Sequence, residues 1–186
     1  MKKHLLTKAL LCAATLSSAQ AADYVIDTNG AHASINFKVK HLNYSWLTGR
    51  FDKFSGEFSY DENDINNAKI SLEIDAASVN TNHARRDKHI RTNDYLDSNK
   101  FTTAKFVSTK VIDLGDNKLT VIGDLTLHGV TKSITIDAEK IGEGKDPWGG
   151  YRAGFSGKTQ ILMPDFGIDN NYGAVEFDLH IEGKRK

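Results

Sequence analysis

The sequence predicts an all-β protein built from antiparallel strands. Apolar and polar residues alternate with a period of two along most of the chain after residue 21, and short turn signals separate the alternating stretches. Because strands joined by tight turns run antiparallel, about eight such stretches form a series of hairpins. Eight long strands with one apolar face need either a second sheet or closure into a barrel, so both a sandwich and a barrel fit this pattern.

Residues 1–21 have the three-part pattern of a secretory signal. Met1 to His4 form a basic N-terminal region that contains Lys2 and Lys3. An apolar stretch follows around Leu5 to Leu16, and Ala19-Gln20-Ala21 is a small-residue cleavage signal. We expect cleavage after Ala21 and export of residues 22–186 as one domain. The single cysteine, Cys12, leaves with the signal, so the exported chain has no cysteine for thiol chemistry, haem attachment or a zinc site.

The first strands show the alternation clearly. Residues 35–41 and 68–76 each place apolar side chains on one face, whereas between Trp46 and Tyr60 the phase slips at Asp52-Lys53, as a β-bulge would produce. A less regular strand covers residues 104–112. Four further alternating stretches have these apolar positions: Leu119 to Leu127, Ile134 to Ala138, Tyr151 to Met163 and Val175 to Ile181.

Turn signals lie between these strands. Gly115-Asp116-Asn117 and His128-Gly129 predict tight hairpins, and residues 61–67 are rich in Asn and Asp. Residues 142–150 contain several glycines and predict a longer loop.

The segment from Ser78 to Asn99 interrupts the β pattern and favours a helix, with Thr81 or Asn82 as its N-cap. It concentrates basic side chains in an acidic chain: residues 1–21 hold three lysines and no acid, so residues 22–186 carry 21 basic and 24 acidic side chains and a formal charge of −3. Two interpretations stay open: a solvated, salt-bridged face, or a set of donors that converge on a phosphate or carbonyl oxygen.

Several function classes have no support in these residues. The net negative charge disfavours a nucleic-acid binder. His83 and His89 are six residues apart, which does not suit a helical pair of metal ligands, and we expect no metal site. Gly154-Phe155-Ser156-Gly157 lacks the spacing of a nucleophile elbow, so we expect no enzyme.

The inward faces suggest room inside the domain. Phenylalanines on these faces are core residues by default, but Gly49, Gly56, Gly123 and Gly157 share the faces and remove side-chain volume, which could leave an apolar channel. His41 shares the face of Phe37, so it is either a core histidine bonded to backbone or a histidine that meets a ligand's polar group.

Several long stretches resemble the YceI-like, polyisoprenoid-binding family of exported bacterial proteins. They are DYVIDTNGAHASINFKVKHLNYSWLTGRFDKFSGEF, VNTNHARRDKHIRTNDYLDSNKFTTAKFVST, GDLTLHGVTKSITIDAE and DPWGGYRAGFSG. The resemblance covers residues 22–186. It departs at Pro164, where the family often has a basic residue before the segment that is here Asp165-Phe166-Gly167, so any contact of that charge is in doubt.

The resemblance implies a lipocalin-like eight-stranded antiparallel β-barrel with a short helical insertion. Its pore would hold a long isoprenoid lipid, such as a polyprenyl phosphate or the tail of a quinone, in the periplasm, with no other cofactor required. Some family members are dimers, so a homodimer and transient contact with a membrane or a membrane protein are further expected partners, whereas nucleic acid is not.

Site residues follow from the resemblance together with inward phase. The expected contacts of the ligand head group are Asn82, His83, Arg86, His89 and His41. The expected contacts of the tail are Phe37, Val39, Leu72, Ile74, Phe106, Leu125, Ile136, Phe155 and Phe177. The leading hypothesis is a periplasmic lipid carrier; the alternatives are a quinone-dependent redox accessory of a membrane partner and, less favoured, an enzyme that acts on lipid phosphates.

Overall fold

A computed structural model describes residues 21–30, 32–169 and 172–186. The signal segment, residues 1–20, lies outside this description, so export and cleavage after Ala21 stay predictions. In the described part, eleven strands form one antiparallel sheet. The strands are β1 (Ala22–Ile26), β2 (Ser34–His41), β3 (Ser45–Phe51), β4 (Phe54–Tyr60), β5 (Lys69–Asp75), β6 (Val79–Asn80), β7 (Thr103–Gly115), β8 (Lys118–Leu127), β9 (Val130–Lys145), β10 (Tyr151–Leu162) and β11 (Ala174–Arg185).

The sheet closes into a barrel of eight strands, three of which are interrupted. β1 and β2 lie end to end along β11, since Ile26 pairs with Gly183 and Ser34 pairs with His180. β4 pairs with β1 while β3 pairs with β2, and β5 pairs with β4 while β6 pairs with β3. Each remaining strand pairs with its neighbours in sequence. This confirms the predicted antiparallel barrel and excludes the sandwich.

The predicted break at Asp52-Lys53 separates β3 from β4. The backbone amide of Asp52 donates to the carbonyl of Ser78 at 3.1 Å, and the amide of Lys53 donates to the Ser78 hydroxyl at 3.0 Å. The interruption between β5 and β6 therefore supplies the hydrogen bonds that the bulge leaves open.

A second bulge explains the irregular pattern of β7. The register with β8 shifts between Ser108 and Lys110, so Phe106 and Val111 are both buried although their numbers differ in parity. Val107, which lies on the other face, is 41% exposed.

The first interrupted strand is held by a buried ion network. Asp27 follows β1, and its carboxylate accepts from the Arg152 guanidinium at 2.7 Å and lies 3.0 Å from the Lys184 ammonium. The same guanidinium bonds Glu182 on β11 and, through Nε, Asp146 at 3.0 Å. Three segments that are distant in sequence, around Asp27, residues 146–152 and residues 182–184, are thereby joined around one arginine.

Two turns match the predicted tight hairpins. Asp116 and Asn117 have φ of 50° and 63°, and His128 and Gly129 have φ of 51° and 77°, the left-handed values that two-residue hairpin turns need. The predicted loop at residues 142–150 is too long, because Gly142 and Gly144 still pair with β10 and the turn covers only residues 146–150.

The helical insertion is shorter than the predicted 78–99. The helix α1 covers Ala84–Ile90, with β6 before it and turns after it. Neither Thr81 nor Asn82 is the N-cap: His83 is extended and its Nδ1 accepts from the amide of Arg86 at 3.2 Å. Short 3₁₀ turns occur at Ile65–Asn67, Ala76–Ser78 and Met163–Phe166, the last containing Pro164.

Strand directions give the barrel two different ends. The β2–β3 turn, residues 76–102 with α1, the β8–β9 turn and the β10–β11 connection share one end, which we call the mouth end. The β4–β5, β7–β8 and β9–β10 turns share the other, which we call the floor end.

Candidate functional site: an apolar lumen with a polar mouth

The barrel encloses a cavity of about 580 Å³. Its volume falls within the range of small-molecule binding sites, and most of its lining side chains are apolar. All nine residues predicted to contact a tail line it: Phe37, Val39, Leu72, Ile74, Phe106, Leu125, Ile136, Phe155 and Phe177. Their position on the lumen wall agrees with the predicted phase, whereas their contact with a ligand stays a prediction.

Packed aromatic rings form the floor of the lumen. Tyr24 and Phe58 stack with their ring centroids 4.8 Å apart, and the ring of Phe155 meets Phe58 and Tyr60 edge-on at 5.5 Å and 5.3 Å. Tyr24, Phe58 and Tyr60 are buried. Since Ala153 lies in the same cluster and is fully buried, this end of the barrel interior is filled.

Three of the four inward glycines do not leave the empty channel that the sequence suggested, whereas Gly157 lines the lumen. A Cβ on Gly49 would stand 2.9 Å from two atoms of the Phe37 ring, and a Cβ on Gly123 would stand 2.6 Å from the Phe106 ring. At Gly56 the obstacle is the backbone carbonyl of Ser71, at 2.5 Å. These glycines therefore seat neighbouring groups against the wall, and the free volume lies farther toward the axis.

Polar side chains gather at the mouth of the lumen. Arg86 and His89 of α1 line it, as does His41 at the end of β2. His41 is exposed, so the expectation that it faces the apolar interior is only partly right: it stands at the rim. Tyr95 and Tyr172 also line the mouth, and sequence reasoning missed both because neither lies in a regular element with a readable phase.

Thr81 and Asp87 fix the guanidinium of Arg86. Its Nε donates to the Thr81 hydroxyl at 2.7 Å and one terminal nitrogen donates to the Thr81 carbonyl at 2.8 Å. Thr81 in turn donates its amide, at 2.8 Å, and its hydroxyl, at 2.5 Å, to the buried carboxylate of Asp87. Among the described residues the second terminal nitrogen of Arg86 has no hydrogen-bond partner, so a donor is left for a ligand.

A chain of rings crosses the mouth. His89 lies 3.2 Å from Asp94 through Nε2 and meets the edge of the Tyr95 ring at 5.0 Å. The hydroxyls of Tyr95 and Tyr172 are 3.3 Å apart, and the hydrogen bond to Tyr172, followed by burial, raises the pKa of Tyr95 to about 12. Tyr95 therefore stays a neutral hydrogen-bonding group at ordinary pH.

The structure does not bring Asn82 and His83 to the lumen. His83 is committed to capping α1, and Asn82 is exposed with φ of 58° and lines a separate polar groove on the outer face of the barrel. Of the five predicted head-group residues, His41, Arg86 and His89 therefore stand together at the mouth. Contact of any of the five with a ligand stays a prediction.

One group in the described residues has the spacing of metal ligands: Asp27, His32 and Glu182. Both carboxylates already bind the Arg152 guanidinium, and Lys184 lies against Asp27. Two cations at the same oxygens oppose a metal ion, so we assign this group to the ion network of the fold.

No helix within the described residues has the length and apolar composition to cross a bilayer.

Comparisons with known proteins place this geometry in a family. The profile of the YceI-like domain matches residues 24–184. A UPF0312 protein of Vibrio vulnificus is 56% identical over 189 residues, and one of Shewanella denitrificans is 53% identical over 188 residues; the alignments cover 100% and 98% of each chain.

Solved structures share the barrel. A Campylobacter jejuni YceI protein has a TM-score of 0.70 at 29% identity, covering 80% of this chain and 90% of its own. A polyisoprenoid-binding domain from Saccharophagus degradans, implicated in plant cell wall breakdown, has a TM-score of 0.63 at 18% identity, covering 90% of this chain and 100% of its own. The latter likeness concerns the fold alone. Profile, relatives and barrel agree, and the chain belongs to the YceI-like family.

Proposed function

We propose that this protein binds an isoprenoid lipid and carries it through the periplasm, with the apolar tail in the lumen and the polar head group at the mouth. One observation carries the proposal: the lumen wall and floor are apolar, while Arg86, His89, Tyr95 and Tyr172 collect at the mouth. Such a division of polarity suits an amphiphile with one long tail.

Burial of the tail supplies the affinity in this proposal. Each buried CH₂ contributes roughly 0.8 kcal/mol, so a few isoprene units bind without any specific polar contact. The aromatic and branched side chains of the wall match branched hydrocarbon. The Saccharophagus domain, described as polyisoprenoid-binding, supports the same ligand class for this barrel.

The mouth suits a head group that accepts hydrogen bonds. The free guanidinium nitrogen of Arg86 is a donor for either a phosphate or a quinone carbonyl, and so is the one phenol O–H that the hydrogen bond between Tyr95 and Tyr172 leaves unused. We therefore propose a tail of isoprenoid chemistry with one of these two head groups. We infer a binding role and not a catalytic one.

Extraction tests the proposal directly. The protein, purified from its own host after expression of the full chain, is extracted with organic solvent and analysed by mass spectrometry, and the emptied protein is then offered polyprenyl phosphate and quinone separately. We expect a co-purifying isoprenoid and uptake of at least one of the two. A protein that emerges empty and takes up neither overturns the proposal.

A pair of variants locates the binding. Leu125→Trp places a large ring in the lumen, whereas Val107→Trp places the same ring on the outer face of the neighbouring strand. Uptake should fall at least tenfold in the first and stay unchanged in the second, with similar circular dichroism spectra for both. Equal uptake would place the ligand outside the lumen.

A further inference from the structure

The β2–β3 turn carries an unusual set of exposed side chains beside the mouth. Leu42 is 64% exposed and Tyr44 is 87% exposed, while Trp46 is partly exposed on the outer face of β3. Leu42 also lines the mouth itself. Moving an apolar side chain from water to an apolar phase is favourable in free energy. This set of exposed side chains at a protruding turn therefore favours contact with a surface that covers it.

The backbone at Leu42 strengthens this point. Leu42 has φ of 50° and Asn43 has φ of 61°, values that favour Gly and Asn and disfavour a bulky side chain. The other two tight turns use Asp116-Asn117 and His128-Gly129 at the equivalent positions. A leucine held in this conformation and exposed to solvent is a residue whose presence folding does not explain.

The charges around the turn are of one sign. Residues 38–46 contain two lysines and a histidine and no acid, and the ammonium groups of Lys38 and Lys40 lie 4.5 Å and 5.7 Å from the centre of the Trp46 ring. Lys38 pairs with Glu176 at 3.1 Å. Within the part of the chain that the structure describes, Lys40 and the exposed Arg85 and Lys88 of α1 form no ion pair.

The floor end carries both signs of charge. Its turns, residues 61–68, 116–117 and 146–150, contain five acidic side chains, while Lys118, Lys145 and the C-terminal Lys184, Arg185 and Lys186 stand at the same end. Trp148 and Leu114 are exposed there too, at 77% and 61%, but they stand beside Asp146 and Asp116. Lys40, Arg85 and Lys88 therefore make the β2–β3 turn and α1 the part of the mouth end that attracts an anionic surface.

We propose that the β2–β3 turn docks the mouth onto an anionic phospholipid bilayer, with Leu42, Tyr44 and Trp46 in the interfacial layer and Lys40, Arg85 and Lys88 against lipid phosphates. Aromatic rings flanked by lysines are the side chains that settle at the bilayer interface. Because Leu42 also lines the mouth, docking joins the lumen to the lipid phase. The inference rests on the proposed function and names its partner surface.

The test uses vesicles of phosphatidylcholine and phosphatidylglycerol that contain no isoprenoid, so docking is measured apart from ligand uptake. We expect the protein, expressed as the full chain and purified from its own host, to sediment with these vesicles. Less protein should sediment with phosphatidylcholine alone or at high salt. In a Trp148→Phe background, brominated lipids should quench Trp46; in a Trp46→Phe background, they should leave Trp148 unquenched. Absence of vesicle binding, or quenching of Trp148 alone, overturns the inference.

Matched variants separate the turn from general surface hydrophobicity. Leu42→Ser with Tyr44→Ser should weaken vesicle binding at least tenfold, while Leu114→Ser with Trp148→Ser at the floor end should not change it. Lys40→Glu and Lys88→Glu should each weaken binding about fivefold, and Lys118→Glu should not. All these positions are exposed, so folding is retained. Equal effects at both ends would also overturn the inference.

The two proposals fail in different ways. If wild-type protein binds vesicles but takes up no isoprenoid from solution, the carrier function is wrong and the docking surface stands. If it takes up isoprenoid and ignores vesicles, only the docking surface is wrong.

Discussion

The ring of Phe37 occupies the space that a side chain at Gly49, on the neighbouring strand, would need. Any Cβ on Gly49 would come within 2.9 Å of two ring atoms of Phe37. Phe37 also contacts the rings of Phe51 and Phe177, with centroid distances of 5.7 Å and 6.3 Å. The glycine thus sets how far the ring projects toward the axis, and with it the width of the lumen at this level.

Gly49→Ala should lower the free energy of unfolding by about 1–3 kcal/mol, the usual cost of overpacking. The displaced Phe37 ring should also narrow the lumen and reduce lipid uptake. Gly142→Ala is the control, because a Cβ there meets nothing within 4 Å and its φ is ordinary. Chemical denaturation measures both; equal stability of the two variants would contradict the seating of the ring.

Tyr172→Phe should lower the pKa of Tyr95 from about 12 toward the ordinary value near 10. The reason is that the hydrogen bond between Tyr95 and Tyr172 is the largest cause of the raised pKa. Ultraviolet absorbance during alkaline titration reports the change. Tyr44→Phe removes an exposed phenol outside the pair and should leave the high-pH titration in place.

Asp27→Asn should remove part of the acid sensitivity of the fold. The Arg152 hydrogen bond, with help from Lys184 and Gly30 and against the effect of burial, lowers the pKa of Asp27. Its contribution to stability is therefore complete above the ordinary aspartate pKa near 3.9 and is lost as the pH falls below it.

At neutral pH the same variant should lose about 1–3 kcal/mol of stability, because buried donors lose a charged acceptor. Thermal unfolding at pH 7 and at pH 3 measures the difference, which should be smaller at pH 3. An equal loss at both values would show that folding does not lower the pKa of this carboxyl.

Asp87→Ala should destabilise the protein by about 1–3 kcal/mol and loosen Arg86, since the buried carboxylate accepts both donors of Thr81. Asp94→Asn, which alters an exposed carboxylate beside His89, should change stability by at most about 0.5 kcal/mol. Denaturation midpoints compare them. A lipid-uptake assay then asks whether Asp87→Ala also weakens binding, as expected if Arg86 contacts the head group.

Alternation of residue type was sufficient to predict most of the strands and which of their side chains face inward, whereas closure into a barrel was predicted by the family resemblance. Each barrel strand has one face toward the lumen and one toward water. The place of Phe37, Leu125 and Phe155 in the alternation of apolar and polar residues therefore indicates that their side chains face the lumen. The break at Asp52-Lys53 was predictable because the parity change is visible on both sides. In β7 the parity change was hidden, because the outward-facing residues Val107 and Ile112, one on each side of the bulge near Thr109, are apolar too.

Contacts between distant residues could not be predicted. The bond between Arg152 and Asp27 joins positions 125 residues apart, and no spacing or periodicity of the sequence links the two. The same holds for Tyr95 and Tyr172, 77 residues apart, which complete the mouth. His83 as an N-cap was missed because Thr81 is the stronger capping type, and the structure uses Thr81 to hold Asp87 and Arg86.

The packed aromatic floor around Phe58, Tyr60 and Phe155 covers one end of the lumen, so within the part of the chain that the structure describes the mouth is its single opening. A ligand must therefore leave through the mouth by which it entered, and the part that entered last leaves first. A partner that supplies the ligand and a partner that receives it therefore cannot bind the protein at the same time at opposite ends of the barrel. Transfer of the ligand between two such partners therefore takes two successive binding events, and its rate is set by the lifetime of each complex.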